Sequence, residues 1–348
     1  MLMQTQLKLL IKLRSVRLVS GMPFCVTPHL MIGVYWQTWS SRWTSDPSKM
    51  DLLDLHPSVN VVYLSFADPR TTYKRGSKSW ATTGLDFSHD FQVVVDAIAL
   101  LKKRQVCVML AVGGATYQFN STPPDGVIAL AQDLGVDGLD IDWEPTQGAA
   151  QDQEFGPIIQ SYKSKLWPNA KLSAAVFSTG AYGKDGSTYV GMNIKGLVSN
   201  GSDLDWINIM AYDAGPPPPV GKFDPLGACA SYRVYYRGPI MLGFEPGPMA
   251  WGGHLLTLAE FQRNAAYISQ EDMRNGIFLW SYQKNTAGSP TVETLLDTAN
   301  TLFPKPSIPI AIPGTPVESK PAETNLKVPG ACTIQCPQCD YKIKVAMQ

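Results

Sequence analysis

From residue 31 onward, short apolar runs alternate with segments of helical periodicity. The runs are Met31–Trp36, Val59–Phe66, Val106–Val112, Val136–Asp142, Leu172–Phe177, Leu204–Met210, Pro239–Gly243 and Ile277–Trp280. Between them, apolar residues recur at helical spacing over 91–103, 127–134, 155–166, 258–269 and 292–302. The runs are continuous rather than alternating, which predicts strands buried on both faces and therefore a parallel sheet. Strand starts recur every 30 to 45 residues or so, roughly the length of a βα unit. Eight such units over residues 31–303 predict an α/β fold of the (β/α)8 TIM-barrel type. A doubly wound sheet would carry a glycine-rich loop after its first strand. Tyr35-Trp36-Gln37-Thr38-Trp39 stands there instead.

The ends break the pattern. Residues 1–30 begin with Leu7, Leu9, Leu10, Ile11 and Leu13 interleaved with Lys8, Lys12, Arg14 and Arg17, and no acid precedes Asp46. A secretory signal keeps its charges ahead of an unbroken apolar region. This segment looks more like an organelle presequence, or an extension ahead of a start nearer Met22 or Met31. Residues 304–330 hold Pro304, Pro306, Pro309, Pro313, Pro316, Pro321 and Pro329, the composition of an extended linker. A short tail over 331–348 contains Cys332, Cys336 and Cys339, one ligand short of a structural zinc site unless Asp340 or a second chain completes it. Of the other cysteines, Cys107 is expected as a buried free thiol and Cys25 and Cys229 stand alone.

Composition adds little beyond a soluble globular class, with 45% apolar and 17% charged residues. A formal net charge of zero argues against electrostatic capture of nucleic acid or an anionic membrane. No apolar run is long enough to predict a membrane span. Nine tryptophans and fourteen tyrosines suit a neutral partner such as a sugar.

The fourth run carries the chemistry: Asp137-Gly138-Leu139-Asp140-Ile141-Asp142-Trp143-Glu144. Alternate residues of a strand share a face. Asp140, Asp142 and Glu144 therefore line one side, with Leu139, Ile141 and Trp143 on the other. Like charges so close raise one another's pKa, which predicts that at least one carboxyl stays protonated near neutral pH and can act as a general acid. A calcium cluster is the bland alternative, but such sites usually draw their oxygens from flexible loops. Asp137 is out of phase with the other three and reads as a structural anchor.

This octapeptide resembles the DGxDxDxE signature of the glycoside hydrolase family 18 chitinases. Three further segments are similar to that family's motifs in the right order: Gly113-Gly114 to SxGG, Met210-Ala211-Tyr212-Asp213 to MxYD, and Trp280 to the floor tryptophan. The resemblance covers roughly residues 31 to 303. It implies hydrolysis of β-1,4 linkages in chitin or chito-oligosaccharides, with retention and with the substrate's own acetamide as nucleophile. Glu144 would be the acid and then the base, Asp142 the holder of the acetamide N–H, and Asp140 the group that biases both. Tyr212 and Met210 share strand parity and would face the substrate, Asp213 has the opposite parity, and Trp280 would stack beneath the cleaved sugar. Tyr35 would form a wall, with Trp36 and Trp39 in outer subsites. A monomer is implied, acting outside the cell without cofactor or metal.

There are two departures. The SxGG serine is Ala111, so a hydroxyl expected on the inner acids is missing. The stretch between the seventh strand and the helix near Thr257 leaves no room for the small α+β insertion of one branch of the family, which predicts an open cleft. Two alternatives use the same barrel. An endo-β-N-acetylglucosaminidase would cut N-glycan cores, and a silent chitin-binding lectin would bind only.

Overall fold

Continuous burial turns each of the eight apolar runs into a strand. The computed structural model describes residues 30–144, 151–178, 204–213, 224–249, 254–303, 331–335 and 342–346, with the side chains of 151–154, 213 and both C-terminal segments outside the description. The strands are β1 (Met31–Gln37), β2 (Val61–Ala67), β3 (Cys107–Gly113), β4 (Gly138–Asp142), β5 (Lys171–Phe177), β6 (Trp206–Met210), β7 (Ile240–Phe244) and β8 (Gly276–Leu279). They form a closed parallel barrel in sequence order, with β8 pairing back onto β1 through Met31↔Gly276 and Val34↔Leu279.

Alternation along each strand divides the core into two layers. Leu64, Leu110, Ile141, Val176 and Ile209 point outward into the layer beneath the helices. Met31, Val61, Cys107, Met109, Trp206, Met241 and Phe278 point inward and fill the lumen. The helices are α1 (Phe91–Lys103), α2 (Asp125–Leu134), α3 (Gln151–Lys165), α4 (Pro225–Arg233), α5 (Leu258–Glu271) and α6 (Val292–Leu302). α1 is typical, burying Phe91, Val94, Ala97, Ile98 and Leu101 on one face. α5 starts at a reciprocal capping box between Thr257 and Glu260, a feature worth about 1 kcal/mol. β7 ends at Phe244 and α5 begins at Leu258, so the two are joined only by residues 245–257.

α4 has no counterpart in the periodicity. Its sequence, PLGACASYR, has only Leu226 and Tyr232 as large apolar residues, too few to mark a helix face. What starts it is local: Asp224 caps it, accepting from Gly227 N at 2.8 Å, and Pro225 occupies the first helical position.

The chain divides into two compact units, Met1–Lys305 and Pro306–Gln348. In the second, β9 (Ala331–Gln335) and β10 (Lys342–Ala346) pair antiparallel, from Ala331↔Ala346 to Gln335↔Lys342. The basic N-terminal segment, Cys25, the proline-rich linker, Cys336, Cys339 and Asp340 lie outside the described residues. Cys107 corrects an expectation: it is disulfide-bonded rather than a free thiol. Cys229 is free and buried.

Candidate active site

The C-terminal strand ends open into a cavity of about 480 Å³. Asp142 and Glu144 line it together with Tyr35, Met210, Tyr212 and Trp280, while Phe66, Phe177 and the 115–117 loop complete the inner wall. The structure thus brings most of the sequence-predicted groups to one place.

Asp140 lies beneath the cavity, fully buried. Its Oδ2 accepts from the Tyr35 hydroxyl at 2.5 Å, and its Oδ1 accepts from the Ser173 hydroxyl at 2.6 Å and from Asn208 Nδ2 at 3.0 Å. Behind this set, Trp206 Nε1 donates to the Tyr63 hydroxyl at 2.8 Å, and that hydroxyl donates to Asn208 Oδ1 at 3.2 Å. Tyr63 also stacks on Tyr35 at 4.6 Å between ring centroids. Burial raises the Asp140 pKa to about 6, and the bonds from Ser173, Tyr35 and Asn208 oppose that rise. Both oxygens are occupied by hydrogen-bond donors, an environment for an anion rather than for a cation ligand.

Asp142, two residues on, is 3% exposed, and its Oδ1 has no hydrogen-bond partner among the described residues. Burial first, then the charges of Glu144 and Asp140, push its carboxyl well above the usual range. Glu144 is half-buried at the cavity wall. Burial raises its pKa to about 7 against the backbone N–H of Ala115, which favours the carboxylate. Desolvation is therefore the leading cause at all three acids, ahead of the like-charge repulsion that the sequence alone suggested.

β4 ends at Asp142, yet the alternation of side chains continues past it. Glu144 faces the cavity, while Trp143 is buried on the other side and stacks on Phe155 of α3 at 5.4 Å. Gly113 and Gly114 shape the turn beside them. A Cβ on Gly113 would lie 2.1 Å from the carbonyl oxygen of Asp142, at φ 107°, so only glycine fits. Gly114 N donates to that same carbonyl at 2.8 Å. Asp137 points away from the cavity; its carboxylate accepts from Val108 N at 2.9 Å and pairs with Lys102 at 2.8 Å.

Tyr212 reaches the cavity by a different route from the one its parity implied. β6 stops at Met210, and Ala211–Asp213 form a 3-10 turn that carries the phenol inward against Phe278, at 6.2 Å and nearly perpendicular. The side chain of Asp213 lies outside the description. Trp280 packs against Phe66 at 5.6 Å and edge-on to Tyr35 at 5.8 Å. Trp36 does not join the site, because its strand parity turns it outward, where it is 2% exposed and stacks on Tyr282 at 5.4 Å. Trp39 does line the cavity.

Ser173 and Asn208 escaped the sequence reading. Their signal was available: each is a polar residue flanked by apolar ones within a strand, at the parity of a lumen-facing neighbour. Register completes the account of Ala111. It pairs with Asp140 across β3–β4, while Ser173 pairs with Asp140 across β4–β5. A hydroxyl reaches Asp140 from the strand opposite Ala111.

The family model for glycosyl hydrolases family 18 matches residues 31–226. The chain belongs to this family. It is 33% identical over 134 residues to a class V chitinase from Arabidopsis thaliana, a match covering 34% of this chain and 33% of that protein. The chain thus spans about a third of the length of that curated relative. Among solved structures, a family 18 chitinase from Pseudoalteromonas aurantia superposes with a TM-score of 0.56 at 18% identity, covering 78% of this chain and 99% of that one. A chitinase-like agglutinin from Robinia pseudoacacia superposes at 0.53 with 16% identity, covering 78% of this chain and 99% of that one. Such likenesses place the family 18 chain on the same barrel; they do not separate an enzyme from a lectin.

Proposed function

We propose that this family 18 barrel hydrolyses β-1,4 linkages between N-acetylglucosamine units of chitin or chito-oligosaccharides, with retention at the anomeric carbon. The observation that carries the reading is the pairing of Asp142, a buried carboxyl with an oxygen that no described residue bonds, with Glu144, a carboxyl whose pKa burial raises to about 7 at the same cavity wall. A buried acceptor calls for a donor, and the N–H of a 2-acetamido group is one.

In this reading Glu144 transfers its proton to the glycosidic oxygen as the bond to C1 breaks. The acetamide oxygen bonds to C1 in its place, giving a cyclic oxazolinium whose positive charge Asp142 stabilises through the acetamide N–H. The Tyr212 phenol donates to the acetamide oxygen and fixes its approach, while Trp280 and Met210 support the ring. Water then adds to C1 on the face the leaving group vacated and gives its proton to the Glu144 carboxylate. The acetamide is released, and configuration is retained after two inversions. Asp140, held by three donors, supplies a fixed negative charge beneath Asp142. The enzyme reading is preferred to a silent lectin because the terminal acid, Glu144, is present and burial raises its pKa to about 7.

The deciding measurement is time-resolved NMR of products from defined N-acetylglucosamine oligomers. Short oligomers should form with the β anomer in initial excess. Binding of chitin without any cleavage would establish the lectin alternative. Release of N-glycans from a high-mannose glycoprotein with chitin untouched would establish the endo-β-N-acetylglucosaminidase.

A further inference from the structure

The cleft continues past the acids to a rim of different character. Trp39, 48% exposed, and Asp86 line the same cavity as Asp142 and Glu144. The two rim residues are tied together through Thr38, whose fully buried hydroxyl donates to Ser65 O at 2.8 Å and accepts from Asp86 N at 3.1 Å. Tyr117 closes the rim, donating its hydroxyl to Gly84 O at 3.1 Å, and the Asp86 charge contributes to raising the phenol's pKa. The carboxylate of Asp86 makes no hydrogen bond or ion pair among the described residues. Arg70, the guanidinium near Tyr117, is already engaged by both oxygens of Asp68, at 2.9 and 2.8 Å. Among the described residues that line the cavity there is no lysine, arginine or histidine.

An exposed indole and a carboxylate with no partner among the described residues therefore line one cavity, their backbones tied through Thr38, and the cavity's other charged groups are acids. We propose that Asp86 selects a glucosamine unit, the deacetylated and positively charged form of the sugar, for the ring that packs on Trp39. This inference rests on the chitinase reading and names its preferred substrate, partially deacetylated chitin. The reaction requires an acetamide only on the sugar at Asp142, where that group is the nucleophile. A sugar further along the cleft supplies no reacting atom and is free to carry an ammonium. There the indole covers its apolar face and attracts its charge, while Asp86 accepts charge-assisted hydrogen bonds from the ammonium. Because the carboxylate is exposed, the preference is modest, about two- to fivefold.

The test is digestion of chitosan of intermediate acetylation, followed by mass-spectrometric sequencing of the products, with a fully acetylated hexamer run in parallel. Glucosamine should be enriched about two- to fivefold at one fixed distance from the cleaved bond. Added sodium chloride should erode that enrichment, and Asp86→Asn should abolish both the enrichment and its salt dependence. Cleavage of the hexamer with glucosamine distributed at random along the chitosan products would overturn the proposal and leave the chitinase reading standing. An enrichment unchanged in Asp86→Asn would overturn it as well. Failure to cut either substrate would overturn both.

Discussion

Two adjacent layers of the barrel lumen hold the same residue type and treat it in opposite ways. Asp140 is surrounded by donors from β1, β5 and β6, and its pKa rises only to about 6. Asp142, one strand repeat higher, is almost as deeply buried but has an oxygen with no donor among the described residues, and its carboxyl is pushed well above the usual range. Burial removes the hydration of both. In the lower layer the protein replaces it with fixed dipoles, and in the upper layer it does not. The difference separates support from function: a bonded buried acid organises the structure around it, whereas an unbonded one beside a cavity is arranged for a ligand's donor.

The largest expected effect concerns the upper layer. Glu144→Gln keeps the shape of the side chain but has no acidic proton, so kcat should fall by at least about a hundredfold, the low end for a general acid. Oligosaccharide binding by calorimetry should persist. Wild-type turnover in this variant would show that the proton comes from elsewhere and dissolve the distinction between the layers.

A matched pair of substitutions tests the comparison itself. Asp140→Asn puts an amide donor in place of one oxygen, facing either Tyr35 or the pair Ser173 and Asn208, groups that already donate. This mismatch should cost about 1–3 kcal/mol of unfolding free energy. Asp142→Asn removes a carboxylate whose charged form is disfavoured by burial and by two acids. It should lower kcat without lowering stability at neutral pH. Urea unfolding of both variants at one pH decides the matter, and equal losses of stability would mean that the layers do not differ as described.

The pH dependence sharpens the same contrast. With the Glu144 pKa raised to about 7, kcat should decline as pH rises through that value and the acid loses its proton. The folded state holds this proton more tightly than the unfolded chain. The residue therefore carries no penalty below the unfolded pKa of about 4.3, a growing one as pH climbs towards the folded value, and a constant one beyond it. The stability of wild type relative to Glu144→Gln should accordingly fall between those two values, by at most about 4 kcal/mol. Thermal melts of both proteins across that range provide the check, and a difference that rises with pH would contradict the assignment.

Much of this was legible in the sequence because burial on both faces leaves continuous apolar runs, and a two-residue repeat then assigns each side chain to the lumen or the helix layer. Tyr35, Asp140, Asp142, Met210 and Trp280 follow from that rule, and the same rule turns Trp36 outward. Tyr212 enters through a 3-10 turn, where strand parity no longer holds. α4 starts from a cap and a proline rather than from an apolar stripe. The donors to Asp140 come from strands distant in sequence, so their convergence is a property of barrel register. The dominance of burial over charge repulsion at the acids likewise depends on depth, which periodicity does not report.

The smallest effect belongs to Ala111, where the sequence departs from SxGG. In register with Asp140 and fully buried, it is the position from which a hydroxyl would reach the lower layer. Asp140 already accepts from Ser173, Asn208 and Tyr35, and an ionised carboxylate has about four acceptor sites, so one more donor can be admitted but none is required. Ala111→Ser should therefore change stability by no more than about 1 kcal/mol, the net worth of a typical hydrogen bond. It should leave the pH profile of kcat nearly unmoved. Ser173→Ala, which removes a bond that opposes the rise of the Asp140 pKa, should raise that pKa further. If Ala111→Ser instead displaced the pH profile by a full unit, the lower layer would be short of a donor, and Ser173 would not be filling the place of the missing serine.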